Sequence, residues 1–141
     1  MSQTARPLSP HLQIYRWRVN MLQSTLHRLS GLFLCLGGLL LAWGLIAAAC
    51  NAGAWAAFAA FCGSPFGIAL LIAWTWALLF HLCNGIQHLY RDAGMGYDAA
   101  QRDHMRTPSY FAMGWVVIAV SLILTALVWI CVFARASGGA A

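Results

Sequence analysis

The sequence predicts an all-α membrane protein with three transmembrane helices, on three grounds. Of its 141 residues, 62% are hydrophobic and only 8% are charged, against roughly 25% charged in an ordinary soluble domain. A soluble fold of this size could not hide so much apolar surface in one core. The charges are also unevenly placed: none lies between Arg28 and Arg91, and none between Arg106 and Arg135. A spanning helix needs about 20 apolar residues, so the first uncharged run has room for two spans and the second for one.

The first span is expected over residues 29–50, broken by Asn51 and Gly53. The second is expected over 66–90. Gly63-Ser64-Pro65 reads as its start signal, with Ser64 as N-cap and Pro65 at the first helical position. Thr107-Pro108-Ser109 does the same for the third, over 110–134. The chain thus divides into an N-terminal segment 1–28, a transmembrane domain 29–134 and a short tail 135–141.

All eight basic residues are arginines, and there is no Lys or Glu. No arginine cluster is dense enough to follow a phosphate backbone, so nucleic-acid binding is excluded as a function class. The arginines do set a topology. Arg6, Arg16, Arg18, Arg28, Arg91, Arg102 and Arg106 fall on one side of the membrane and Arg135 on the other. This predicts a cytoplasmic N-terminus and second connection, with the uncharged connection 51–65 and the tail outside. No cleavable signal is visible, because the first apolar run starts only after Arg28 and is long enough to span. Met1–Ser9 is short for a mitochondrial presequence and carries one arginine. A bacterial inner membrane is the simpler reading, ahead of a mitochondrial one.

The five cysteines form no C-x-x-C or C-x-x-C-H motif. This argues against covalent haem attachment and against a cysteine-based zinc or iron–sulfur site. Cys35, Cys83 and Cys131 lie within spans and read as small hydrophobes. Cys50 and Cys62 flank the outer connection and could pair in an oxidising compartment.

Polar groups within the apolar runs are expensive and mark function. His81 falls two to three turns inside the second span, where it could serve an interhelical hydrogen bond, a proton relay or a metal. At helical spacing it shares a face with Trp74, Ala77, Gly85, His88 and Asp92. Ala77 and Gly85, one turn either side, either clear a flat space for a planar macrocycle or let helices pack closely. His88 stands two turns away, about 10.5 Å along the axis, so the two imidazoles cannot ligate opposite faces of one haem iron. No other histidine reaches comparable depth. A six-coordinate haem iron on His81 would therefore need its second ligand from another chain.

A second cluster, Ser24-Thr25-Leu26-His27-Arg28, stands at the entrance to the first span, with Ser24, His27 and Arg28 at spacings that let them face one way. By topology they reach about the depth of His88 and Asp92. One reading is a snorkelling arginine with a capping serine. The other is a pocket for the polar head of a lipid-soluble molecule, with a counter-ion for haem propionates.

These residues carry a resemblance. Arg6-Pro7-Leu8-Ser9-Pro10-His11-Leu12-Gln13-Ile14-Tyr15, then Ser24-x-x-His27-Arg28-x-x-Gly31, then His81-x-x-x-Gly85-x-x-His88-x-x-x-Asp92-x-Gly94 resemble the cytochrome b subunit of succinate dehydrogenase, the larger membrane anchor of respiratory complex II. The likeness runs from Arg6 to about Gly94 and extends to the length and the three spans. It implies a heteromeric anchor bundle in which His81 is an axial ligand of one haem b, shared with a second, smaller anchor subunit that supplies the other ligand. It implies that Ser24 and Arg28 line a ubiquinone site, that His27, Arg28 and His88 lie near the haem propionates, and that Asp92 supports His88 or Arg91 or contacts the iron–sulfur subunit. A flavoprotein subunit would oxidise succinate and an iron–sulfur subunit would pass the electrons on to ubiquinone. The Arg6–Tyr15 segment would dock on the iron–sulfur subunit. Gln87 stands where relatives often place a basic residue. An anchor of a quinol:fumarate reductase shares these motifs, and a non-redox membrane scaffold is the rival from another class.

Overall fold

The computed structural model describes residues 17–95 and 108–138, the last of these through the backbone alone over 108–111. The Arg6–Tyr15 segment and most of the connection carrying Arg102 and Arg106 lie outside the described residues. Four helices follow one another: α1 (Val19–Cys50), α2 (Ala52–Gly63), α3 (Pro65–Asp92) and α4 (Pro108–Gly138). Three of them, α1, α3 and α4, are long and apolar enough to cross a membrane.

Two boundaries differ from the sequence expectation. α1 begins at Val19, ten residues before the expected start of the span, because arginine is a good helix former and a charge does not end a helix. At about 1.5 Å per residue its 32 residues reach about 48 Å, well beyond a hydrocarbon core of about 30 Å. Ser24, His27 and Arg28 are therefore residues of α1 itself. The connection 51–65 is also helical over most of its length. Asn51 ends α1 and at once caps α2, its side chain accepting from the Ala54 amide at 2.8 Å. The alanine-rich run that follows has high helix propensity. α2 is apolar, but with 12 residues it is too short to cross.

The start of α3 follows the expected signal: the Ser64 hydroxyl accepts from the Gly67 amide at 3.0 Å, and Pro65 opens the helix. Gly67 must be glycine, because a Cβ there would collide with the Phe61 carbonyl. α3 ends as Gly94 turns into the left-handed region at φ 76°.

Cys50 and Cys62 are both free thiols. The intervening helix holds them about 15 Å apart along its axis, whereas a disulfide needs its Cα atoms within about 7 Å. The pairing left open by the sequence is not made.

α3 is the central element, packed against α1 on one side and α4 on the other. The interior is more polar than the exterior. Among the described residues the buried set holds six polar side chains, Gln23, Ser30, Asn84, Gln87, Ser121 and Thr125, and five apolar ones. The large apolar side chains point outward, Leu32, Leu39, Leu45, Leu82 and Ile123 among them. Lipid offers no hydrophobic gain for helix association, so small residues and hydrogen bonds must hold such a bundle. α4 accordingly presents Gly114, Val117, Ser121 and Thr125 as one buried stripe. The Trp76 indole donates to Ser121 Oγ at 3.3 Å, and the Trp129 indole to Thr75 Oγ1 at 3.3 Å.

Candidate functional site

α1 and α3 run antiparallel, and their register is visible pair by pair. Gln23 meets Gln87, His27 lies over Gly85, His81 lies over Gly31 and Trp74 fills the notch at Gly37. The middle two pairs are reciprocal, since each helix offers a histidine and, four residues on, the glycine that receives the other histidine. A Cβ at Gly31 would stand 3.1 Å from His81 Cε1, and one at Gly85 would stand 3.9 Å from His27 Cε1. The small residue at position 85 thus serves close helix packing, because the clearance beside His81 is taken by the His27 ring.

The consequence is an imidazole cluster. The His27 and His81 rings stack with centroids 3.8 Å apart and planes 11° apart. His88 joins from the other side of His27, its ring tilted by 56° at 5.7 Å. His27 and His81 are half-buried, while His88 is exposed nearer the end of α3.

His81 is held by its Nδ1, which lies 3.1 Å from the His27 carbonyl oxygen and 3.1 Å from Ser30 Oγ. The Ser30 hydroxyl itself donates to the His27 carbonyl at 2.9 Å. His81 Nε2 has no hydrogen-bond partner among the described residues. His27 Nδ1 is buried and also has no partner among the described residues. Together they fit a metal-bearing planar group better than a closed packing contact, because the nitrogen that would coordinate is the one left free. The three imidazoles do not converge on a point, and among the described residues no group of three His, Cys, Asp or Glu side chains could hold a metal ion unaided.

Ser24 is half-buried and Arg28 exposed, and at helical spacing both stand on the stripe of α1 whose next turn is Gly31, against which His81 rests. Asp92 is exposed in the last turn of α3, one residue past Arg91.

Sequence reasoning did not single out the amide cluster one turn away. Gln23 Nε2 donates to Asn84 Oδ1 at 3.0 Å and to Gln87 Oε1 at 3.0 Å. All three side chains are buried, and the Asn84 and Gln87 amide nitrogens have no partner. Gly114 of α4 closes over Gln23, where a Cβ would approach Oε1 to 2.7 Å. Two amides at i and i+3 inside an apolar run were the available signal. Gln87 is buried against Gln23, a place that suits a neutral side chain.

Residues 2–128 match the family described as succinate dehydrogenase/fumarate reductase transmembrane subunit. The chain belongs to this family. It is 38% identical to the succinate dehydrogenase cytochrome b556 subunit of Paracoccus denitrificans over 124 residues, 88% of this chain and 94% of that one. It is 35% identical to the cytochrome b556 subunit of Rickettsia felis over 125 residues, 89% of this chain and 91% of that one. The similarity extends to the human mitochondrial succinate dehydrogenase cytochrome b560 subunit, at 30% over 120 residues, 84% of this chain and 66% of the human one. Membership in the transmembrane-subunit family accords with three long apolar helices and with a cluster of ionisable side chains at one end of the bundle.

Proposed function

We propose that the chain is the cytochrome b membrane anchor of a succinate:ubiquinone oxidoreductase. The observation that carries this reading is the His27–His81–His88 cluster, with His81 tethered through Nδ1 and its Nε2 left free, in a chain of this family. His81 would hold haem b on this chain through Nε2, and a second, smaller anchor subunit would supply the other ligand, because no other His, Cys, Asp or Glu among the described residues converges with His81 to hold a metal. His27, Arg28 and His88 border the propionates. When bound, the haem supplies a one-electron carrier within the membrane.

Ser24 and Arg28 form the quinone-facing stripe of α1. The Ser24 hydroxyl donates to a ubiquinone carbonyl. The Arg28 guanidinium stabilises the negative charge that builds on that oxygen as electrons arrive. Those electrons come from succinate, oxidised on a flavoprotein subunit, through an iron–sulfur subunit seated on the arginine-rich end of the bundle. Asp92 supports Arg91 or His88 at that boundary, and the Arg6–Tyr15 segment docks on the iron–sulfur subunit. No succinate chemistry resides on this chain. The relatives named above carry succinate dehydrogenase names, which supports succinate oxidation over fumarate reduction. Arginine placement and the bacterial relatives support a multi-pass bacterial inner-membrane protein with a cytoplasmic N-terminus.

The test is a reduced-minus-oxidised visible spectrum of the detergent-solubilised complex, with dithionite and with succinate as reductants. A sharp b-type α band with both is expected. Absence of any haem band in an intact four-subunit complex rejects the cytochrome assignment.

A further inference from the structure

We infer that Ser30 is a positioning residue for His81: its hydroxyl and the His27 carbonyl together fix the His81 ring as the Nδ1–H tautomer and so present Nε2 as the coordinating atom. The inference rests on the assignment of His81 as haem ligand and adds to it the group that orients the ring.

The hydrogens available around Nδ1 select the tautomer. His81 Nδ1 lies 3.1 Å from the His27 carbonyl oxygen, which can only accept. Nδ1 must therefore carry the proton, since two acceptors would otherwise face each other at that distance. The Ser30 hydroxyl has one hydrogen, and it goes to the same carbonyl at 2.9 Å. Its oxygen then has a lone pair for the Nδ1 proton at 3.1 Å. The triangle thus holds two hydrogens for three contacts: the Ser30 hydrogen goes to the carbonyl, and the Nδ1 hydrogen is shared between the carbonyl and the Ser30 oxygen. In the opposite tautomer Nδ1 would repel the carbonyl, and the single Ser30 hydrogen could not serve both neighbours. Ser30 is 7% exposed, so water cannot readily replace it. The neutral imidazole is left with its remaining lone pair on Nε2, the atom that has no partner among the described residues.

Two further contacts hold the ring plane. The His27 ring covers one face at 3.8 Å, and Gly31 receives the edge at Cε1. The hydrogen bonds select the tautomer, and these packing contacts limit rotation about the Cβ–Cγ bond. Orienting groups of this kind commonly change metal affinity by about 10–100-fold.

The test uses the assembled complex carrying Ser30→Ala, Ser30→Thr or Ser30→Cys. In Ser30→Ala the ferric low-spin electron paramagnetic resonance signal should shift or broaden at its low-field g value, which reports axial imidazole orientation. The haem should also transfer to apomyoglobin on the order of tenfold faster. Ser30→Thr keeps the hydroxyl and should restore both properties toward wild type. Should Ser30→Ala fail to assemble, Ser30→Cys, near in size but a far weaker partner, is expected to show the same changes. A Ser30→Ala or Ser30→Cys complex with wild-type g values and haem transfer overturns the inference while leaving His81 as ligand. A haem spectrum unaltered in His81→Ala overturns the underlying assignment, and the role of Ser30 falls with it.

Discussion

His27 of α1 and His81 of α3 stack ring on ring at 3.8 Å, although 54 positions separate them in the chain. Gly31 admits the His81 ring closely while Gly85 lies in ordinary contact with His27, and the stack joins the half of the sequence carrying Ser24 and Arg28 to the half carrying the candidate haem ligand.

Removing His81 takes one ring out of the α1–α3 contact but should act first on the spectrum, because the Gln23 hydrogen bonds and the Trp74–Gly37 notch still hold the two helices in register. In His81→Ala, the complex is expected to assemble with its haem band lost or changed in position and spin state. Visible and electron paramagnetic resonance spectra of the purified complex decide this. An unaltered spectrum removes His81 from the ligand set.

Arg28 is exposed on α1 and is assigned to the quinone. Arg28→Ala should slow ubiquinone reduction by more than about tenfold, equivalent to about 1.4 kcal/mol or more of lost stabilisation. Succinate oxidation with an artificial acceptor that takes electrons from the soluble subunits should be unchanged. Comparing the two assays on one preparation separates a quinone-site defect from a general loss of enzyme, and equal quinone kinetics would sink the assignment.

Adjacent glycines give a sharper structural contrast. A Cβ at Gly37 would collide with the Trp74 indole, whereas one at Gly38 meets nothing within 4 Å. Gly37→Ala should cost about 1–3 kcal/mol of stability through overpacking, seen as earlier thermal loss of the assembled complex. Gly38→Ala should be neutral in the same melt.

Gln23 is the hub of the buried amides, donating to both Asn84 and Gln87. In Gln23→Leu the two acceptors on α3 lose their donor, at a cost of about 1–3 kcal/mol. Gln23→Glu should be worse, because it buries a carboxylate whose charge the Asn84 and Gln87 amides, even turned to donate, do not neutralise. Thermal inactivation midpoints in a fixed detergent would rank the three proteins, and a Gln23→Leu complex as stable as wild type would show that the cluster does not hold α1 on α3.

The three spans were legible because charge and apolar length are one-dimensional properties, and the Ser64-Pro65 start was legible because a cap and its target amide are three residues apart. α2 escaped the same reading. Its residues are uncharged and its run is short, so charge counting treated 51–65 as a connection, although Asn51 and the alanines were a usable signal. Within α3, helical spacing correctly put Trp74, His81 and Gly85 on one face. It could not say what covers that face, because the pairing of His27 with Gly85 and of His81 with Gly31 depends on how far α1 slides along α3. The choice left open by Ala77 and Gly85, clearance or close helix packing, could thus not be made from one helix, and the other helix decides it for packing at Gly85. Gln23 and Asn84 went unnoticed, and Gln87 was noticed only for its lack of charge, for the same reason: they are ordinary polar residues until the register brings them together.

The reciprocal seating of two histidines on two glycines makes the alignment of α1 and α3 discrete. Sliding either helix by one residue shifts it by about 1.5 Å and turns it by about 100°, which would unseat both rings in a single step. The pair acts like a two-pin key, with no half-engaged setting between correct and lost. The imidazole geometry is accordingly built when two helices of one polypeptide meet.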